Sequence, residues 1–111
     1  MPATYDDANL VMQILRWGGE TGLAEALGEL MDEGFNPETA EANEPAVRSV
    51  LFFGETVGTF VKQGVLDRGL VEDLWWIEGM WSRVGPAAQR QRQRLGEPRL
   101  FENFESLATG G

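Results

Sequence analysis

In the stretch VLFFGETVGTFV, residues 50–61, one carboxylate, Glu55, sits within the most apolar run of a 111-residue chain. An ionised carboxylate taken out of water without a partner costs several kcal/mol, so such a group is solvated at a rim, paired, or chemically useful as a base. The remaining composition narrows that third role. Histidine and cysteine are both absent, which removes imidazole bases, Ser-His triads, thiolate chemistry, disulfides and most zinc and copper sites. Acid–base work would fall to Asp, Glu, Tyr5 or Lys62, and any metal would be a hard ion held by oxygens. No Asp-x-Asp-x-Asp-Gly loop provides a calcium site, and no cofactor is expected.

On a helical wheel Glu55 shares its stripe with Arg48, Phe52, Thr59 and Lys62. Phe52 on that stripe argues for a covering helix, and a covered carboxylate calls for a cation. The segment Gln89-Arg90-Gln91-Arg92-Gln93-Arg94 supplies one, with Arg90 and Arg94 on one face and Arg92 pointing elsewhere. A structural ion pair between Glu55 and Arg90 or Arg94 is therefore the first reading, an exposed rim position the second, and a functional carboxylate the third. Gly54 and Gly58 flank Glu55 as a small-xxx-small notch. Two glycines inside a helix forfeit about 1 kcal/mol each against alanine, and close approach of another helix, with a ring such as Trp75 or Trp81 in the notch, would compensate.

Two surfaces are candidate interfaces. Trp76 and Met80 fall opposite Leu70, Leu74 and Trp81 on their helix, beside Glu72, Asp73 and Arg83, which makes them either an interaction hot spot or a face covered by a terminal helix. Glu25, Glu29 and Glu33 recur every four residues with no lysine to relieve them. They form either a solvated face or a carboxylate array that docks on a basic partner or imitates nucleic-acid phosphates. The whole charge excess lies on this side: residues 1–47 carry a net −9 and residues 48–111 carry 0. Direct attraction to nucleic acid or anionic lipid is disfavoured, and the three arginines of the QRQRQR run lack the interleaved aromatics of a nucleic-acid surface.

The elements that would position these residues are helical. Thr4 and Asp7 read as a capping box ahead of Leu10, Val11, Ile14, Leu15 and Trp17, with Gly18-Gly19 as the stop. Leu23, Ala26, Leu27, Leu30 and Met31 mark a second helix ended by Gly34, and Asn36-Pro37-Glu38 starts a short helical turn. The long central helix spans about Pro45 to Gln63 and closes with Gly64-Val65 in a Schellman arrangement. Asp67 caps the next helix, with Leu70, Val71, Leu74, Ile77, Trp81 and Val84 inward. Pro86 opens or kinks another helix bearing the arginines, and a last one carries Leu100, Phe101, Phe104, Leu107 and Ala108. The expectation is an all-α, single-domain bundle of about five helices plus a short turn, with acidic helices over 1–44 and core helices over 45–109. No apolar stretch approaches the roughly 20 residues that span a bilayer, and the start MPATYDDAN has no secretory character, so a cytoplasmic chain is expected.

From Val47 to Ala108 the landmarks Leu51-Phe52-Phe53-Gly54-Glu55, Val57-Gly58, Gly64-Val65-Leu66-Asp67, Trp81, the arginines at 90–94 and Phe104-Glu105-Ser106-Leu107-Ala108 resemble a family of bacterial domains of unknown function. The family pattern runs F-F-E, G, G-x-L-D, W, R and F-E-x-L-A. The resemblance implies an all-helical fold and a pairing of Glu55 with one of Arg90, Arg92 or Arg94, and it carries no activity. Members often have a membrane segment ahead of the domain, where this chain has its acidic helices. The function expected first is a non-catalytic cytoplasmic interaction or regulatory module that binds a protein or itself. The second is an acidic inhibitor or nucleic-acid mimic, and the third an enzyme with Glu55 as general base.

Overall fold

Thr4 and Asp7 open the first helix with reciprocal hydrogen bonds. The Thr4 hydroxyl accepts the Asp7 N–H at 3.2 Å, and Asp7 Oδ2 accepts the Thr4 N–H at 2.7 Å. In the computed structural model, which describes residues 2–110, this helix, α1, spans Tyr5–Thr21. It passes through Gly18-Gly19 and stops at Gly22, whose φ of 74° lies in the left-handed region. A glycine weakens a helix anywhere but ends it only where the backbone reverses hand. Gly18 stays helical because it is a contact point, buried against the Leu23 side chain.

Helix α2, Leu23–Met31, ends before Gly34, because Asp32 turns extended and its carboxylate accepts the Gly34 N–H at 2.9 Å. Asn36 then holds a turn, its side chain accepting from Glu38 and its carbonyl from Thr39 and Ala40. Pro45 at the first position opens α3, Pro45–Lys62. Its end is the expected Schellman closure: Gly64 has φ 77° and the Val65 N–H reaches the Phe60 carbonyl. Asp67 caps α4, Arg68–Leu74, by accepting the Leu70 N–H at 2.9 Å.

A single helix was expected from Asp67 to Val84, with a new start at Pro86. The chain instead breaks at Trp75-Trp76 and then runs unbroken through Pro86 as α5, Ile77–Leu95. At the break Trp76 adopts φ −83°, ψ 75°, and the Ile77 N–H bonds the Trp75 carbonyl, an inverse γ-turn. The turn sends the Trp75 ring edge-on to Phe53 at 5.2 Å and leaves Trp76 outside, its ring lying against Gly79. It also resets the helical phase for α5, so Met80 joins Ile77 and Val84 on the inner face, while Leu74, ending α4, is exposed. Pro86 deprives the Ser82 carbonyl of its helical donor, a loss placed at a solvent-exposed residue. Gly96, left-handed at φ 64°, ends α5, and α6 follows over Glu102–Thr109. The described residues are thus all-α with six helices, against the five or so expected.

Helix α3 is the centre, with α2, α5 and α6 packed around it. Its Val47, Val50, Leu51, Phe53 and Val57 are buried, joined by Leu30, Val71, Val84 and Phe104 from the surrounding helices. Trp17 stacks on Phe53 at 6.3 Å, so that Phe53 meets both Trp17 and Trp75. The start of α1 is tied down by Asp7, which is 9% exposed and whose Oδ1 accepts the Asp67 N–H at 3.1 Å.

The Thr4 N–H, the Thr4 hydroxyl and then the Asp67 N–H all donate to the charged Asp7 carboxylate and hold its pKa below the ordinary 3.8, outweighing the opposing effect of burial. A carboxyl whose folded pKa is depressed stabilises the fold above its unfolded pKa and loses that contribution as pH falls through the folded one. Asp7→Asn is expected to lower stability in urea at pH 7, with the gap to the parent closing progressively below about pH 4. A pH-independent gap would contradict this account.

Candidate functional site

Helix α6 begins without a cap of its own. The residue at its N-cap position is Phe101, which offers no side-chain acceptor and takes φ 61°, ψ 26°, a left-handed conformation costing a non-glycine residue about 1–2 kcal/mol. The exposed amides of the first turn are met from across the interface by Glu55. Its Oε1 accepts the N–H groups of Asn103 and Phe104, each at 2.9 Å, and its Oε2 accepts the Asn103 side-chain amide at 2.9 Å. The second hydrogen of that amide goes to Thr59 Oγ1 at 3.1 Å, and the Thr59 hydroxyl donates to the Glu55 carbonyl at 2.7 Å. Glu55 thus caps a helix 48 residues further along the chain. The positive end of the α6 dipole supplies the compensation that a cation was expected to give.

The Gly54/Gly58 notch is where α6 enters. A methyl group on Gly54 would strike the Phe104 ring, and one on Gly58 would strike the Asn103 backbone carbonyl. The aromatic in the notch is therefore Phe104, not Trp81. Trp81 stands behind it, edge-on at 5.0 Å, and packs over Gly85. Phe52, expected to be under a covering helix, is 55% exposed, with the Phe101 ring in a T-shaped arrangement at 6.5 Å, because α6 covers the stripe one turn later, at Glu55.

Among the described residues no arginine forms an ion pair with Glu55, which corrects the expected pairing with Arg90 or Arg94. These two do share a face, but it points to the loop between α2 and α3. Arg90 donates to the Pro37 carbonyl at 3.0 Å and to the Ala40 carbonyl, and Arg94 meets Glu41 at 2.8 Å. Arg92 is the arginine that serves α6. Its Nε donates to the Leu100 carbonyl at 2.7 Å, its Nη1 meets Glu105 at 3.0 Å, and its guanidinium lies 5.9 Å over Trp81. Thr59, Asn103 and Phe104 were missed. The available signal was that Phe101 and Glu102, where the last helix opens, include no Ser, Thr, Asp or Asn at the capping position, so its amides need an acceptor from elsewhere.

Met80 is buried at 3%, so the expected Trp76–Met80 surface pair does not exist, the phase reset at the γ-turn having turned Met80 inward. Trp76 alone remains exposed. Glu25 and Glu29 lie exposed on α2, while Glu33 falls in the loop beyond its end, which interrupts the four-residue repeat. None of the three has an ion-pair partner among the described residues. Close to these acids, a mainly apolar groove of about 350 Å³ runs between α1 and α2, lined by Leu15, Leu27, Phe53 and Trp75, with the open Gly19 and with Glu25 also on its lining.

A family model described as Domain of unknown function (DUF4760) matches residues 19–110, from the last turn of α1 through α6. The match extends further toward the N-terminus than the likeness read from Val47 to Ala108. No curated protein and no solved structure matches the chain.

Removing the Glu55 carboxylate leaves two amides of α6 without acceptors. Glu55→Ala is expected to cost about 1–3 kcal/mol in denaturant unfolding. Gly58→Ala meets unyielding backbone and is expected to destabilise more than Gly54→Ala, whose clash is with a ring. Equal stability of Gly58→Ala and the parent would show that α6 does not dock as described.

Proposed function

The chain belongs to this family of domains of unknown function, and from that premise we propose that it is a non-catalytic protein-interaction module whose binding surface is the α1/α2 groove. The observation that carries the reading is the coincidence of an open apolar groove with acids that have no ion-pair partner among the described residues. Leu15, at its wall, is 45% exposed, and Glu25 borders it. A helix or extended segment with apolar anchors and flanking Lys or Arg matches both properties, burying hydrocarbon in the groove and placing cations beside Glu20, Glu25 and Glu29. The acidic side of the chain, net −9 over residues 1–47, would speed the approach of such a segment at low salt.

The condition of Glu55 supports an interaction module over a catalyst. Both of its oxygens already accept amide donors, and the cleft next to it is walled by Gly58 and Asn103 rather than by the carboxylate. A general base needs a free lone pair facing a substrate.

Gly19 separates binding from folding, because a side chain at that position would enter open space at the groove edge. Gly19→Leu is expected to leave the fold intact, raising helix stability by about 0.5–1 kcal/mol, while blocking the groove. With an amphipathic Leu/Lys helical peptide as probe, the parent is expected to bind with an affinity that falls as salt rises, and Gly19→Leu to bind poorly. Undiminished binding by Gly19→Leu would move the interaction to the acidic surface alone, the behaviour of an acidic inhibitor or nucleic-acid mimic. The absence of salt dependence would contradict both readings.

A further inference from the structure

Three of the nine basic residues of this acidic chain converge on one cleft. It holds about 630 Å³ and lies where the end of α3 and the start of α4 meet the first turns of α6, with Lys62, Arg68 and Arg99 on its walls. Glu102 is the one carboxylate in the lining, and it is taken by Arg99, whose Nε lies 3.1 Å from both carboxylate oxygens and whose Nη2 lies 2.8 Å from one. That pair neutralises itself. Lys62 has no ion pair among the described residues. Arg68 is held loosely, with Glu72 at 3.8 Å and the Ser106 carbonyl at 3.5 Å, both beyond good hydrogen-bond range. Ser106 also lines the cleft, its carbonyl being the one near Arg68 and its hydroxyl making no hydrogen bond among the described residues. Val61 and Leu107 give the same cleft an apolar side.

We propose that this cleft binds a small phosphate monoester, with Lys62, Arg68 and the Ser106 hydroxyl on the phosphate and Val61 and Leu107 against the organic group. The charge balance supports the assignment. Once Arg99 and Glu102 cancel, Lys62 and Arg68 leave two positive charges on the lining, that of Arg68 partly offset by Glu72 outside it at 3.8 Å, and a phosphate monoester carries about −1.5 to −2 at neutral pH. An arginine also presents donors that match phosphate oxygens. The volume falls within the range of about 300–1,000 Å³ typical of small-molecule sites, which favours a free ester over a protein segment. The α6 amides contribute nothing directly, being already occupied by Glu55, so recognition rests on side chains.

The test is a titration of the full chain with phenyl phosphate, followed by amide NMR shifts, with inorganic phosphate as a second arm. Saturable shifts confined to the neighbourhood of Lys62, Arg68, Asn103 and Ser106 are expected, and tighter binding of phenyl phosphate than of inorganic phosphate. Lys62→Gln disturbs no hydrogen bond of the fold and is expected to weaken binding about tenfold, as is Arg68→Gln. Arg94→Gln removes the same charge on the side of α5 that faces the 32–44 loop and should leave the affinity unchanged. Shifts scattered over the surface, no saturation, equal affinity for the two probes, or equal weakening by Arg94→Gln would each overturn the proposal.

Discussion

The carboxylate of Glu55 and the first turn of α6 satisfy each other, and most of the C-terminal half of the fold follows from that meeting. A short helix begins with several unpaired amides, and a carboxylate on the most buried helix begins with no counter-ion. Joined, each removes the other's desolvation cost. The geometry demands that the two backbones come close, and with Phe104 in place only hydrogen at positions 54 and 58 permits it. Once the approach is made, Phe104 occupies the space over Gly54, Trp81 backs Phe104, and Arg92 reaches over Trp81 to fix the Leu100 carbonyl and Glu105. The left-handed Phe101 is a local cost of turning α6 onto Glu55, and it is offset by these contacts.

The residues on which the family resemblance was read lie far apart in sequence, and this arrangement brings most of them together. Gly54, Glu55, Gly58, Trp81, Phe104 and Glu105 come from three helices, and all of them address the seating of α6. Leu66 and Asp67 serve a second joint, one buried in the core and the other capping α4 while its N–H holds Asp7. The pattern therefore describes how the domain is held together. The α1/α2 groove lies apart from this seat, whereas the cleft of Lys62 and Arg68 borders it through Gly58 and Asn103.

Much of the helical framework was legible in the sequence because it is written in local signals. The Thr4/Asp7 box, the Gly64-Val65 closure and the Asp67 cap each depend on residues within a few positions of one another, and each is observed. The all-α class and the notch followed from periodicity and from the cost of helical glycine. Misreadings arose where tertiary context decides. Trp75-Trp76 interrupts an unbroken apolar pattern because one ring is recruited by Phe53, an event with no local marker. The error in phase carried forward to Met80. Glu55 was correctly singled out as needing compensation, but a helix N-terminus neutralises a carboxylate as well as a guanidinium does, and sequence distance cannot distinguish the two. Arg90 and Arg94 were correctly placed on one face, and only their target differed.

The two glycines of the notch look equivalent in the sequence, four residues apart on one stripe, yet they carry unequal constraints. Position 54 faces a side chain, so a larger residue there is admissible wherever position 104 shrinks in concert. Position 58 faces the main chain of residue 103, which every amino acid possesses, so no substitution at 103 can make room. Drift among sequences that keep this docking is therefore open to paired exchange at 54 and 104 and closed at 58.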